Sequence, residues 1–268
     1  MNKTIIMYMT LFMVFTSTLL AEFNFYQVPS KLTAYYSATI QPIDILEEKL
    51  NVNGFNVLAT TEVLRGEIVL TITNDELLQT SSYLSTLQLL VNTINSEIRI
   101  QNPSYFGAAY LQEKYHYGQF KATLDALENV LGTMKVVKDA YPLQKLAHFQ
   151  FMFGLPYFKD IITIPVQGNP FNALEREEYI LYSLNLPNGN KLVGHRLSLR
   201  TNSFLRVIGQ EKNALLLPYE SMIENSKVTI LNPKYYLALS LPLLSLGEFM
   251  KIATTPDTIN REITKAYR

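Results

Sequence analysis

The feature that most constrains this chain is a match of the sequence to itself. Asn95 to Leu111 reads NSEIRIQNPSYFGAAYL, and Asn225 to Leu241 reads NSKVTILNPKYYLALSL. The offset is a constant 130, eight of seventeen positions are identical, and Ile98/Val228 and Phe106/Tyr236 are conservative. After one extra residue in the first copy, Gly118-Gln119-Phe120 aligns with Gly247-Glu248-Phe249. A gap-free match of this length implies two similar α/β units in tandem. Upstream the match decays. The helical pattern of Ile43 to Leu50 has no counterpart at the matching distance, so the second unit has diverged or lost a piece.

Between and around the copies, strand-like and helix-like segments alternate. Lys31 to Ile40 is rich in Tyr, Thr and Ile, a strand composition. Ile43, Leu46 and Leu50 recur at helical spacing after Pro42, and Asn53-Gly54 supplies a residue able to end that helix at positive φ. Phe55 to Thr60 and Glu67 to Thr73 read as strands. Asp75 to Thr93 reads as a helix on Leu77, Leu84, Leu87 and Val91, and Glu97 to Gln101 alternates as a strand. Gln119 to Leu131 is the clearest helix, with Phe120, Leu124, Leu127 and Leu131 in one stripe and Gly132 as its stop. Ala147 to Phe153 predicts a strand with Phe149 and Phe151 on one side. The Pro/Gly/Asn cluster Pro165 to Pro170 marks the domain boundary. Tyr179 to Leu199 predicts a hairpin turning at Asn188-Gly189, and a short helix with Ile259 and Ile263 follows Thr255-Pro256. The expected fold class is α/β of the α+β sandwich type. Two related units, residues 28–165 and 171–268, each form a small mixed or antiparallel sheet with packed helices.

Residues 1–21 form a separate element. One basic residue, Lys3, precedes an uncharged run that ends at Ala21, the layout of a secretory signal peptide. Thr10, Thr16, Ser17 and Thr18 weaken that run as a permanent anchor, which needs about 20 apolar residues. The expected location is a bacterial periplasm after cleavage near Ala21. The alternative is an uncleaved inner-membrane anchor that holds the body on the periplasmic side, and membrane contact is expected only in that case. The chain has no cysteine, which removes thiol redox, iron–sulfur clusters, cysteine-ligated zinc and covalent haem. An exported body without disulfides must be held by packing alone, and 48% hydrophobic residues supply the core for it. With 23 basic and 23 acidic residues scattered along the chain, no basic face is visible for nucleic acid.

Asn-Pro-x-Tyr follows a strand in both copies. Proline fixes φ and ends ladder pairing, the preceding Asn can satisfy nearby backbone groups, and Tyr joins an apolar body to a polar tip. The plain reading is a strand-ending turn with aromatic packing. The functional reading is that Asn102 and Tyr105, with Asn232 and Tyr235, line two equivalent ligand clefts at strand ends.

The helix ending in Gly, the element Gly54-Phe55-x-Val57, and the strand through Ile100 into Asn102-Pro103 resemble the bacterial family called domain of unknown function 302. In the second unit only Ile230, Asn232 and Pro233 match. The resemblance covers roughly Lys31 to Leu111 and, less fully, Tyr179 to Leu241, while Glu76 to Thr93 departs from the family pattern. It implies a small α/β sandwich and no established activity.

Little else in the sequence carries chemistry. His116, His148 and His195 show no metal-ligand spacing. His148 and Met152 share one side of the expected strand, but four of the eight methionines belong to the N-terminal segment, which weakens a copper reading. No nucleophile elbow and no phosphate-binding glycine loop is present. The carboxylate pairs Glu47-Glu48 and Glu177-Glu178 read as solvated faces. Gly194-His195-Arg196, with Arg200 and Arg206, is the most basic neighbourhood; it reads as surface charge or as a seat for an anionic ligand. Paired aromatics such as Tyr35-Tyr36 and Tyr235-Tyr236 read as core, or as a groove for an apolar ligand or a docked protein. The expected function is therefore that of an exported, non-catalytic binding or accessory protein, without cofactor or metal. Its partner would be a small apolar or aromatic ligand, or a segment of a periplasmic or membrane protein, near the repeated turns. The alternative is a hydrolase-like periplasmic enzyme with a site around His148 or around His195 and Arg196.

Overall fold

A computed structural model describes residues 27–268. The expected export signal at 1–21 lies outside the described residues. The first part of the chain runs β1 (Lys31–Leu32), β2 (Tyr35–Thr39), α1 (Ile43–Val52), β3 (Asn56–Leu64), β4 (Glu67–Thr73), α2 (Asp75–Leu78), β5 (Leu87–Asn92), β6 (Glu97–Gln101), α3 (Pro103–Tyr110), α4 (Lys121–Leu131), β7 (Lys135–Val136), β8 (Tyr141–Pro142) and α5 (Leu143–Leu146). The second part runs β9 (Ile162–Ile164), β10 (Ile180–Asn185), β11 (Lys191–His195), α6 (Leu199–Asn202), α7 (Phe204–Val207), β12 (Tyr219–Glu224), β13 (Lys227–Ile230), α8 (Pro233–Ser240), α9 (Leu246–Lys251) and α10 (Thr255–Ala266). The class is mixed α+β.

Two antiparallel sheets organise these elements. The first has the order β3-β4-β5-β6-β2-β7 and the second β10-β11-β12-β13-β9. In each, a four-strand meander is joined at its last strand by a strand that precedes it in the chain, β2 in the first and β9 in the second, while β1 pairs separately with β8. The second sheet thus repeats the first five places of the first. Between β9 and β10, where the first unit has α1, the chain makes only a 3-10 turn at Pro170–Glu175. The division between the sheets falls earlier than the Pro165–Pro170 cluster, because Ile162–Ile164 already pairs with Val228–Ile230 of β13.

Two local expectations are corrected. Asp75–Thr93 is not one helix: α2 spans four residues, and Leu87–Asn92 is a strand in which every residue is buried. A strand covered on both faces carries a continuous apolar run that helical spacing also fits. Ala147–Phe153 is not a strand but a series of turns. Its aromatics fill gaps between elements: Phe149 lies 5.9 Å from the Tyr235 ring, and Phe151 lies 5.1 Å from Phe249.

One hydrophobic core contains buried residues of both units. At its centre lie α3 and α8, the helices that follow the two Asn-Pro steps. Every residue of α3 is buried. Phe158, from the connection between the units, stacks on Tyr110 of α3 at 5.5 Å and meets Tyr235 of α8 edge-on at 6.0 Å. The last carbonyls of a helix have no partner within it, and in α8 two of them are met from the other unit. Tyr105 donates to Leu239 O at 3.0 Å and Tyr35 donates to Ser240 O at 2.6 Å. Polar links also cross between the units: Asn202 Nδ2 donates to Val63 O at 2.8 Å, and Thr86 donates to Glu220 at 2.5 Å, where Tyr182 of the second unit's own sheet donates too. Tyr182 fits because Gly194 opposite it in the sheet has no Cβ; a Cβ there would lie 2.1 Å from its ring.

The two repeated tyrosines therefore differ in what their hydroxyls do. The Tyr105 hydroxyl serves a buried carbonyl, whereas the buried Tyr235 hydroxyl has no hydrogen-bond partner among the described residues. Tyr105→Phe is expected to lower the urea-unfolding free energy by about 1–3 kcal/mol, since it leaves that carbonyl unmet. Tyr235→Phe is expected to leave it unchanged or raise it. Equal losses in the two variants would contradict this assignment.

Candidate functional site

The residues expected to line two ligand clefts are placed in the fold's interior. Asn102 and Asn232 are helix N-caps: their side chains accept from Ser104 N at 3.0 Å and Lys234 N at 3.1 Å, with proline at the first helical position. Asn102 also donates to Thr33 O at 2.7 Å. Tyr105 and Tyr235 are buried between the units. None of the four residues lines any of the larger clefts described here. The structure brings Tyr105 close to α8 but gathers the four side chains into no common cavity.

The histidines divide by environment. His148 Nε2 lies 3.3 Å from Glu113 Oε1, with both side chains mostly in solvent. That pair sits on an open surface where water competes for every contact. His195 ends β11 and is buried. Its Nε2 is 2.8 Å from Ser221 Oγ and 3.2 Å from the Tyr267 hydroxyl, and those two oxygens are 2.8 Å apart. Burial drives its pKa down to about 3, so the ring is neutral at ordinary pH. A serine–histidine pair works as a nucleophile and base when a third group orients the base and the serine meets substrate. Here Nδ1 has no partner among the described residues and Ser221 is fully buried. Among the described residues, no three His, Asp or Glu side chains converge as metal ligands would.

His195 also lines a cleft of about 300 Å³ at the seam between the units. Val63 of β3 forms one wall, Leu181 of β10 and Leu197 another, and Asn202 of α6 closes an end. Asn202 spends its amide nitrogen on Val63 O, and its Oδ1, like His195 Nδ1, is buried with no partner among the described residues. Both atoms lie beneath the surface of a cleft whose lining is mostly apolar but includes Glu62 and Arg196. Sequence reading flagged His195 but passed over Asn202, which belongs to no motif.

The basic neighbourhood noted in the sequence is dispersed by the fold. Arg196 borders the seam cleft, Arg206 borders a cleft with Arg65 and Glu67, and Arg200 faces a third, larger one. In the second of these, Glu67 is buried and its pKa is raised to about 7, chiefly by burial and then by Glu211 and Glu97. Glu220, between the sheets, is likewise raised to about 7 by burial, against the hydrogen bonds from Thr86 and Tyr182.

Compared with protein-family models, with curated proteins and with solved structures, the chain matches none.

Both raised carboxyls hold their proton more tightly in the folded than in the unfolded chain, where the ordinary value is 4.5. The stability they confer is full below that value and is lost as pH rises through about 7. The urea-unfolding free energy is therefore expected to decline between mildly acidic and neutral pH. In Glu220→Gln, which keeps an acceptor for Thr86 and Tyr182, the decline should be visibly shallower. An unchanged pH slope in that variant would refute the assignment.

Proposed function

We propose that the protein is an exported, non-catalytic binding or accessory protein that receives an uncharged, largely apolar small molecule in the seam cleft. One observation carries this reading: a mostly apolar cleft of about 300 Å³ lies where Val63 of the first unit meets Leu181, Leu197 and Leu217 of the second. The apolar walls Val63, Leu181 and Leu197 favour a hydrophobic body. A cleft at the junction of two packed units is a usual place for such a site.

This reading keeps the ligand class expected from the sequence and moves the site away from Asn102, Tyr105, Asn232 and Tyr235. With no group orienting His195 and with Ser221 fully buried, binding is favoured over hydrolysis. The periplasmic location rests on residues 1–21 alone. Kinship with the domain of unknown function 302 family rests on the short Gly54-Phe55-x-Val57 and Asn-Pro elements; among the described residues no helix is long and apolar enough to cross a membrane.

The chain has no tryptophan, so an added indole can both fill the cleft and report on it. N-phenylnaphthylamine, an uncharged aromatic amine with one N–H, is a suitable fluorescent probe. Its emission is expected to rise on binding the native protein, and Leu181→Trp is expected to abolish that rise by filling the cleft. Leu246→Trp on α9, outside the cleft, should leave it unchanged. Full probe binding by the Leu181 variant, or none by the native protein, would sink the proposal.

A further inference from the structure

On the other side of α6 lies the largest described cleft, about 560 Å³. Leu199 and Asn202 of that helix border the seam cleft, while Arg200 and Thr201 border this one. Four cationic side chains line it: Arg200 from α6, Lys251 from α9, and Arg261 and Lys265 from α10. They come from α6 and, well downstream, from the neighbouring helices α9 and α10, so the fold, not a run of basic residues, assembles the charge. None of the four is within ion-pair distance of a carboxylate among the described residues. The one acidic residue in the lining, Glu262, is already engaged. Its oxygens accept from Ser198 N at 2.7 Å, Ser198 Oγ at 2.6 Å and Thr201 Oγ1 at 2.6 Å. These bonds also pin α6 to α10.

The cleft therefore sets four cations against one carboxylate, a net positive surplus in a chain whose formal net charge is zero. The Thr255 hydroxyl stands beside the cations, while Ser203 and Thr258 donate theirs to Arg200 O and Thr254 O, and Arg261 is oriented by a 3.0 Å bond to Thr258 Oγ1. The amino end of α10, whose N-cap residue Thr254 makes no side-chain capping bond, opens here and adds a positive partial charge. Phe204, Val207 and Ile252 supply an apolar floor.

We propose that this cleft binds a phosphate monoester carrying a small apolar group. A singly charged carboxylate would leave most of the surplus unmatched. A dianion with three terminal oxygens matches guanidinium forks and ammonium groups converging from separate elements. The proposal does not rest on the seam cleft.

Calorimetric titration of the full chain with phenyl phosphate tests it, with phenol as the uncharged control. Phenyl phosphate is expected to bind, more weakly as salt rises, and phenol is not. Arg200 and Arg261 are exposed, so R200Q/R261Q should fold normally and bind at least tenfold more weakly. K135Q/K138Q, which removes two exposed cations elsewhere, should bind as the native chain does. Vesicles containing phosphatidic acid identify the source of the phosphate. If they sediment the native chain but not R200Q/R261Q, the ester is a lipid head group. If they sediment neither while phenyl phosphate still binds, the ester is soluble. No binding of phenyl phosphate, or equal weakening in both double variants, overturns the proposal.

Discussion

The fold depends on how the carboxyl end of one buried helix is satisfied. Helix α8 carries its last carbonyls into the shared interior, where water cannot reach them. Tyr105 and Tyr35 of the other unit donate to Leu239 O and Ser240 O. A buried carbonyl left unmet is expensive, so the second unit needs the first to complete its own helix. Phe158 reinforces the same junction by touching Tyr110 of α3 and Tyr235 of α8 at once. A chain without cysteine has no covalent staple, and this joint of aromatic packing and hydroxyl donors takes that place. It also explains why the repeated Asn-Pro-x-Tyr residues are interior: one Asn caps each helix, proline starts it, and the first copy's tyrosine reaches across.

The second sheet follows the strand order of the first, and the departures from that likeness are where the clefts lie. Between the second and third meander strands of the first unit the chain makes α2 and a short turn. In the second unit the same place holds α6, α7 and the 3-10 turn Glu211–Leu216, which packs against β4, β5 and β6. Helix α6 is held on one side by Glu262, through Ser198 and Thr201, and on the other by Asn202 bonding Val63 O. It is the common wall of the seam cleft and the basic cleft. Repeated residues build the shared core, and the unrepeated insertion builds the concave surface.

That division decides what was legible in the sequence. The fold class, the hairpin at Asn188-Gly189, the helix ended by Gly132 and the strands flanking each Asn-Pro step follow from periodicity and turn chemistry, which are local. Strand β5 was hidden because burial on both faces erases the alternation that marks a strand. The aromatics of Ala147 to Phe153 alternate in sequence but act singly, each filling a different gap. At the candidate sites, His195, Arg196 and Arg200 stood out by residue type. Their partners did not: Val63 reaches the seam from β3, and Arg261 and Lys265 reach the basic cleft from α10. Convergence of that kind depends on long-range packing, which no spacing rule encodes. At both Asn-Pro steps the repeated constraint is helix capping, by Asn102 on α3 and Asn232 on α8.

The central claim is that the two sheets share one core and cannot come apart separately. Native-state hydrogen exchange in increasing urea measures this directly. The amides of β5–β6 and of β12–β13 should lose their slowest protection together, with the same dependence on urea, because exposing either sheet opens the joint at α8. If β12 and β13 exchanged through a separate, earlier opening while β5 and β6 stayed protected, the units would be independent and the account would be wrong.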